Sequence, residues 1–153
     1  MNLETAIKNA SVELKKKNIK TPFLDSEILM SKAINKEREF IILNLDKELE
    51  KRNYNYFKKL IHERLEGKPI AYLTGKKSFW KYDFDINESV LIPRPETELI
   101  IENILRIFKN KKKINFLDIG VGSGCIILSI LKEKKNFFGI GIDLSKECIK
   151  LTR

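Results

Sequence analysis

The chain has 153 residues, 42% hydrophobic and 33% charged, so it can bury a packed core beneath a well solvated surface. It contains no apolar run of the roughly 18 residues that a membrane span needs, and its first residues lack the pattern of a secretory signal. Its two cysteines, Cys125 and Cys148, match no zinc-ligand spacing and no disulfide framework, so we expect reduced thiols, no metal site and a cytoplasmic protein.

The net charge of +9 comes mostly from lysine, because the chain has only six arginines. Arginine is the residue that makes bidentate contacts to bases and phosphates. The lysines are spread along predicted helices, with runs at 15–17 and 111–113. We interpret the charge as a solvated surface, which argues against direct nucleic-acid binding. The alternative is weak attraction to a ribosome-associated or otherwise acidic partner.

The first half of the chain has apolar residues at helical spacing. This spacing predicts four helices, the first from residue 3 until Asn18 ends it and the others over residues 22–34, 37–43 and 46–66. Gly67 follows the fourth helix in the usual C-terminal position. We therefore predict a small helical domain over residues 1–76.

The pattern changes after this helical region. Residues 78–86 alternate with a period near two and are rich in aromatic side chains, and residues 87–89 form a turn signal. Residues 90–92 are again apolar, and a proline follows them. We predict a β-hairpin linker over residues 77–92, with its arms on either side of the 87–89 turn.

The rest of the chain has the pattern of a βαβ unit. The predicted elements are a helix from Pro95, a strand over 114–119, a glycine loop over 120–124, a helix through Leu131, a strand over 137–142 and a helix capped by Ser145. A strand, a glycine loop, a helix and a second strand indicate a parallel sheet of the doubly wound sort. The predicted fold class is α/β.

The main functional signal is the glycine loop together with an acid on the next strand. Glycines at alternate positions let the backbone turn sharply and approach a ligand, where a side chain would fill the space. Asp143 closes the second strand, 23 residues after Gly120, where a carboxylate can accept both hydroxyl hydrogens of a ribose. The predicted cofactor-binding residues are Gly120, Val121, Gly122, Ser123, Gly124 and Asp143. The alternative is a glycine turn that merely tightens the packing of strand and helix.

The glycine spacing favours S-adenosylmethionine over a dinucleotide. A pyrophosphate site usually has G-x-G-x-x-G/A, whereas here the third glycine comes one place early and Cys125 stands where the third small residue should be. An acid also stands two places before the first glycine. Acidic groups suit the cationic amino group of S-adenosylmethionine better than a pyrophosphate. A Walker phosphate loop is excluded, because no Gly-Lys-Ser/Thr follows.

Two further segments resemble a known family. Residues 91–98 read Leu-Ile-Pro-Arg-Pro-Glu-Thr-Glu, and residues 64–75 read Arg-Leu-Glu-Gly-Lys-Pro-Ile-Ala-Tyr-Leu-Thr-Gly. By physics alone, the first of these is a rigid helix-start signal. Both resemble signatures of the peptide chain release factor N(5)-glutamine methyltransferases, the HemK family. Residues 116–124 resemble its cofactor loop, and residues 141–145 resemble its ribose-binding strand end.

The resemblance implies a helical N-terminal domain, a hairpin linker and, over residues 93–153, the first βαβ part of a class I, Rossmann-like methyltransferase domain. It implies methyl transfer from S-adenosylmethionine to the side-chain amide of a glutamine, in the Gly-Gly-Gln loop of class I peptide chain release factors. By position, the 120–124 loop would hold the methionine part of the cofactor and Asp143 its ribose. The resemblance assigns no catalytic residue and no metal ligand within this sequence.

The sequence departs from the family pattern at one point, because the Asn-Pro-Pro-Tyr motif of a later strand does not occur in it. The asparagine and a proline carbonyl of that motif would hold the target amide in line with the methyl group. We therefore expect a fragment or a shortened product that is catalytically incomplete. Three alternatives stay open: a related amide or adenine-amino methyltransferase, a non-enzymatic binding module and, more distantly, a dehydrogenase.

Overall fold

A computed structural model describes residues 1–152 of the chain. These residues form two compact units, one spanning Met1–Thr74 and the other beginning at Gly75. Among residues 1–152, the helices include no candidate for a membrane span. The predicted boundaries of the hairpin linker, after residues 76 and 92, stay a prediction.

The first unit is helical. Its elements are α1 (Leu3–Lys16), α2 (Pro22–Ile34), α3 (Arg38–Leu43), α4 (Lys51–Leu65) and α5 (Ile70–Thr74). The Asn2 side chain accepts a hydrogen bond from the Thr5 N–H and so caps α1, while α2 ends at Asn35 in the left-handed conformation. The apolar faces of the helices meet in one core, in which Leu14 and Leu29 are fully buried.

Three of the four predicted helices are confirmed within a residue or two, but the predicted start of the fourth at residue 46 is wrong. Residues 45–49 instead run beside the chain's first residues. The N–H groups of Leu3 and Glu4 donate to the Lys47 and Leu45 carbonyl oxygens, and Leu49 N–H donates to the Met1 carbonyl. Since α1 has free N–H groups at its start, this pairing satisfies them and delays α4 to Lys51. Helix α5 was not predicted.

The second unit joins a hairpin to an α/β layer. Its elements are β1 (Lys76–Phe79), β2 (Tyr82–Asp85), a 3-10 turn (Pro95–Thr97), α6 (Glu98–Ile107), β3 (Asn115–Ile119), α7 (Cys125–Glu133), β4 (Phe138–Ile142) and α8 (Lys146–Thr152). Strands β3 and β4 pair in parallel, with Asn115 opposite Phe138 and Ile119 opposite Ile142. The predicted α/β class and the order strand, loop, helix, strand are confirmed.

The predicted hairpin exists, but its predicted arms are wrong. Strands β1 and β2 pair antiparallel with Phe79 opposite Tyr82, so Trp80 and Lys81 form the turn. The predicted turn at 87–89 lies outside the hairpin, and residues 90–92 form no strand. Trp80 adopts a φ of 57°, and its N–H donates to Glu98 Oε1 at 2.8 Å. A tertiary contact therefore holds a backbone conformation that a tryptophan rarely adopts.

The two faces of the β3–β4 sheet differ in burial. On the covered face, a Cβ added at Gly139 would lie 2.7 Å from the Phe116 ring, and one at Gly141 would lie 2.8 Å from Val121 Cγ2. Helix α7 approaches this face, because Ile127 Cδ1 would lie 3.1 Å from the Gly139 Cβ. The other face presents side chains that are 45–75% exposed, namely Leu117, Ile119, Phe138, Ile140 and Ile142.

Candidate cofactor site

The glycine loop and the tip of β4 meet at the carboxyl end of the parallel sheet. The N–H groups of Gly120 and Val121 both donate to the Ile142 carbonyl oxygen, at 2.8 and 3.0 Å. The Gly122 N–H donates to Asp143 Oδ2 at 2.9 Å. Gly122 of the glycine loop and Asp143, which are 21 residues apart in sequence, are thus in contact. They lie at the end of the sheet where open α/β folds bind ligands.

The outer part of the loop is bare backbone. Gly120 and Gly122 adopt φ values of +81° and +53°, which favour glycine. A Cβ added at Gly120 would meet nothing within 4 Å, and one at Gly122 would meet only the Gly120 carbonyl oxygen, at 3.9 Å. The space beside these two residues is therefore open, and a side chain at either position would enter it.

Gly124 has a different role. It also has a positive φ, of +77°, but an added Cβ would lie 2.6 Å from Thr152 Cγ2 and 3.0 Å from Leu128 Cδ1. The Thr152 hydroxyl donates to the Gly122 carbonyl oxygen at 3.0 Å. Gly124 thus permits the close approach of α8, which in turn supports the loop from behind.

Val121 and Ser123 point into the protein, with 5% and 6% of their surfaces exposed. Any contact of theirs with a ligand would have to come from the backbone. Within the predicted set, the open side of the site is formed by Gly120, Gly122 and Asp143. The assignment of all six residues to a cofactor stays a prediction.

Asp143 is held as an anion by the backbone around it. Its Oδ1 accepts from the Ser145 N–H at 2.9 Å, and its Oδ2 accepts from Gly122. These two backbone hydrogen bonds, that of Ser145 first, lower the pKa of the Asp143 carboxyl. Each carboxylate oxygen can accept a second hydrogen bond, so the group can still receive a pair of ribose hydroxyls. The next residue, Leu144, has a fully exposed side chain.

Asp118 is the acid two places before the first glycine, which the sequence favours as a partner for a cationic amino group. The structure adds that its side chain is half-buried. Its Oδ2 is buried and has no hydrogen-bond partner within the described chain. Burial raises the pKa of the Asp118 carboxyl, and a hydrogen bond from the Ile127 N–H opposes that rise. A carboxylate in this condition would be stabilised by a neighbouring cation.

The two signature segments have local structural roles. Within 91–98, the Thr97 N–H donates to the Arg94 carbonyl oxygen at 3.0 Å and Pro95 begins the 3-10 turn, so the segment starts α6. Within 64–75, Arg64 Nε donates to Asp25 Oδ2 at 2.8 Å. That ion pair ties α4 to α2, because Asp25 is almost fully buried.

Comparison with known proteins finds relatives along nearly the whole chain. Residues 5–75 match the family described as the PrmC N-terminal domain. A release factor glutamine methyltransferase of Leptospira interrogans is 39% identical over 148 residues, which is 96% of this chain and 52% of that protein. One from Buchnera aphidicola subsp. Baizongia pistaciae is 38% identical over 99% of this chain and 54% of its own length.

A longer relative also matches. The protein named bifunctional methyltransferase of Rickettsia typhi is 32% identical over 99% of this chain, which covers 33% of that protein. The chain therefore spans about half the length of the release factor glutamine methyltransferases reported above, and a third of this longer one.

Proposed function

We propose that this chain carries the S-adenosylmethionine-binding part of a release factor glutamine methyltransferase. The proposal is supported by the match of residues 5–75 to the PrmC N-terminal domain and by the similarity of the whole chain to enzymes of that name. The proposed reaction methylates the side-chain amide nitrogen of the glutamine in the Gly-Gly-Gln loop of class I peptide chain release factors. The observation that supports this most is the bare Gly120–Gly122 bend touching the Asp143 carboxylate.

The residues of the site fit the methyl donor in shape and charge. The open space beside Gly120 and Gly122 suits the methionine part, which must pass close to backbone. Asp143 accepts the ribose hydroxyls with the lone pairs that Gly122 and Ser145 leave free. The exposed Leu144 side chain offers an apolar surface to the adenine.

The negative charge of Asp118 favours S-adenosylmethionine over a dinucleotide. Its buried, unpartnered oxygen favours a cation, and S-adenosylmethionine carries a cationic amino group. A pyrophosphate would instead be repelled by the two carboxylates of Asp118 and Asp143. The two carboxylates therefore support S-adenosylmethionine as the cofactor.

The chemistry at the glutamine needs groups beyond this site. An amide nitrogen is a poor nucleophile because its lone pair is delocalised, so the enzyme must hold it in line with the methyl group. Such positioning can supply several kcal/mol of barrier reduction, on the order of 7 or more in well-oriented reactions. S-adenosylmethionine supplies the methyl group when bound, and we assign no residue of this chain to the amide. We place the reaction in the cytoplasm, with release factors as partners.

Calorimetric titration of the chain with S-adenosylmethionine tests the cofactor proposal. We expect saturable binding, and we expect Asp143→Ala to weaken it by about ten-fold or more, the scale of lost charge-assisted hydrogen bonds. Asp143→Asn keeps one acceptor oxygen and should lose less. Asp85→Ala, at an exposed acid of the same unit, is the matched control and should leave binding unchanged.

Two results would contradict the cofactor proposal. One is the absence of binding by a chain whose circular dichroism and cooperative melting show it to be folded. The other is an unchanged affinity in Asp143→Ala. Binding of NAD in place of S-adenosylmethionine would favour the dehydrogenase alternative. Folded chain that binds neither ligand would favour a binding module without catalysis.

The target is tested separately. Residues 1–153 can be joined to the part of the Leptospira protein that this chain does not match, and the chimera incubated with a release factor and methyl-labelled S-adenosylmethionine. We expect label on the release factor, lost when its Gly-Gly-Gln glutamine is changed to alanine and when the chimera carries Asp143→Ala. Label that persists after the glutamine is changed would refute the proposed target.

A further inference from the structure

Two lysine-rich segments lie side by side at the edge of the β3–β4 sheet opposite the glycine loop. One connects α6 to β3, and the other connects α7 to β4. The Phe138 N–H donates to the Ile114 carbonyl oxygen at 2.8 Å, and Lys134 Nζ donates to the Lys109 carbonyl oxygen at 3.2 Å. Together the segments carry seven lysines: Lys109, Lys111, Lys112, Lys113, Lys132, Lys134 and Lys135. We call these seven residues the lysine edge.

The lysine edge is mostly solvent-exposed, and four of its seven lysines line a cleft. This open cleft of about 270 Å³ is lined by Lys111, Lys112, Lys134 and Lys135 and also by Glu133, Asn136 and Phe137. Six of the seven lysines are exposed, and Lys134 is half-buried. The sequence alone favours a solvated surface for the lysines and argues against nucleic-acid binding. The fold is the reason to revise that interpretation, because the run at 111–113 lies between a helix and a strand and beside a second basic segment.

Helix ends explain only part of this charge. Helices α6 and α7 both terminate here, and cations are favoured at helix C-termini. That effect accounts for Lys132 in the last turn of α7 and for Lys134, which donates to a carbonyl of the neighbouring segment. It falls off within one turn, so it gives no reason for the run at 111–113.

The charge of the lysine edge is not cancelled by its own acids. Glu133 is the one carboxylate residue in segments 106–114 and 131–138. Its Oε1 already lies 2.8 Å from Lys81 Nζ and accepts from Trp80 Nε1 at 2.9 Å. The seven lysines therefore outnumber the one carboxylate, which lines the same cleft but is already paired with Lys81, so the surface stays positive.

We propose that the lysine edge binds the phosphate backbone of RNA without reading its sequence. Lysine ammonium groups act as point charges toward phosphates, whereas base reading calls for the planar forks of arginine or amide side chains. Two adjacent rows of lysines beside a concave surface match a chain of phosphates better than a single anion. The binding is independent of the methyl donor, since it uses the opposite edge of the sheet.

Fluorescence anisotropy with a labelled 20-nucleotide poly(U) RNA, without S-adenosylmethionine, tests the inference. We expect affinity to fall steeply with KCl. Replacing Lys111, Lys112 and Lys113 together by glutamine should weaken binding by about ten-fold or more. It should also lower the magnitude of the slope of log K against log salt by about 2, because each lost phosphate contact of a single strand contributes about 0.7.

The matched control replaces Lys15, Lys16 and Lys17 by glutamine. It changes the net charge by the same amount, in the helical unit, and should alter RNA affinity less than two-fold. Equal losses in the two triple variants would overturn the proposal, because net charge alone would then explain binding. The proposal would also be overturned if the folded wild-type chain did not bind RNA at 50 mM KCl. A third contrary result would be that polyglutamate competes as well, per charge, as unlabelled RNA.

Discussion

The two units of the chain bury their apolar residues to different extents. In the helical unit the helices converge on a core whose central residues, such as Leu29 and Met30, have no exposed surface. In the α/β unit one sheet face packs under α7, and the opposite face leaves Leu117 and Ile119 more than half exposed. Parallel strands are normally covered on both faces. The helical unit therefore derives its stability from its own core, whereas the α/β unit derives less from its sheet.

The units also differ in what fixes their elements. In the helical unit, buried acids pair with arginines across helices, as in Asp25 with Arg64 and Glu27 with Arg38. In the α/β unit, glycines on β4 let side chains of the loop and α7 approach the strand closely. Buried ion pairs therefore connect helices in the first unit, whereas glycines allow close packing against a strand in the second.

The largest expected effect compares two leucines. Leu29→Ala should lower the free energy of unfolding by about 3 kcal/mol, because it leaves a cavity in a closed core. Leu117→Ala removes the same atoms from an exposed face and should cost under about 1 kcal/mol. Denaturant unfolding of each variant measures both values. Equal losses of unfolding free energy in the two variants would mean that the sheet face is covered in solution, and the two units would then not differ in burial.

The next effect concerns the ion pair of the helical unit. Arg64→Ala leaves the Asp25 carboxylate buried without its partner, so we expect a loss of about 2 kcal/mol, less than for a fully buried pair because the Arg64 side chain is 20% exposed. Arg52→Ala, on the same helix at an exposed position, is the control and should be nearly neutral. A neutral Arg64→Ala would show that the pair does not fix α2 against α4.

A smaller effect tests the close approach in the α/β unit. Gly141→Ala would bring a Cβ to 2.8 Å from Val121 Cγ2, so the loop must shift, and we expect a loss of about 1.5 kcal/mol. Since Val121 lies in the glycine loop, S-adenosylmethionine affinity should also fall. Thermal melting and calorimetry measure the two effects. A variant that loses neither would mean that the loop does not depend on its contact with β4.

The smallest effect is a dependence on pH. Hydrogen bonds from Lys81 and Trp80 lower the pKa of Glu133 from its ordinary value of 4.5. The stabilisation is therefore present above pH 4.5 and is lost as the pH falls through the lowered pKa. Glu133→Gln should cost under about 1 kcal/mol at pH 7 and nothing at pH 2. An equal cost at both pH values would show that the carboxylate charge does not hold the hairpin turn.

Much of the fold and part of the site could be predicted from local pattern. The helix over 22–34 has proline at its start and an asparagine able to end it, and these signals act within one or two turns. The βαβ order follows from apolar runs separated by glycines. The chemistry of the site likewise depended on residue types at fixed spacing, which brought Gly120 and Asp143 together as candidates.

The local pattern failed where contacts with distant segments overrode local preferences. The turn at Trp80 and Lys81 carries no turn-forming residues, and it forms because Glu98 and Glu133 bind the tryptophan. The predicted fourth helix includes residues 46–49, yet this stretch pairs with the start of the chain.

The sequence by itself determined most of the helices, the two parallel strands and the residues that carry the candidate chemistry, because propensity and periodicity act over a few residues. Only the tertiary structure decided that Gly124 serves packing while Gly120 stays open, and that one carboxylate oxygen of Asp118 is buried. The tertiary structure also assembled the lysine edge. These properties depend on which atoms meet across the fold, and that is set by packing of segments far apart in sequence.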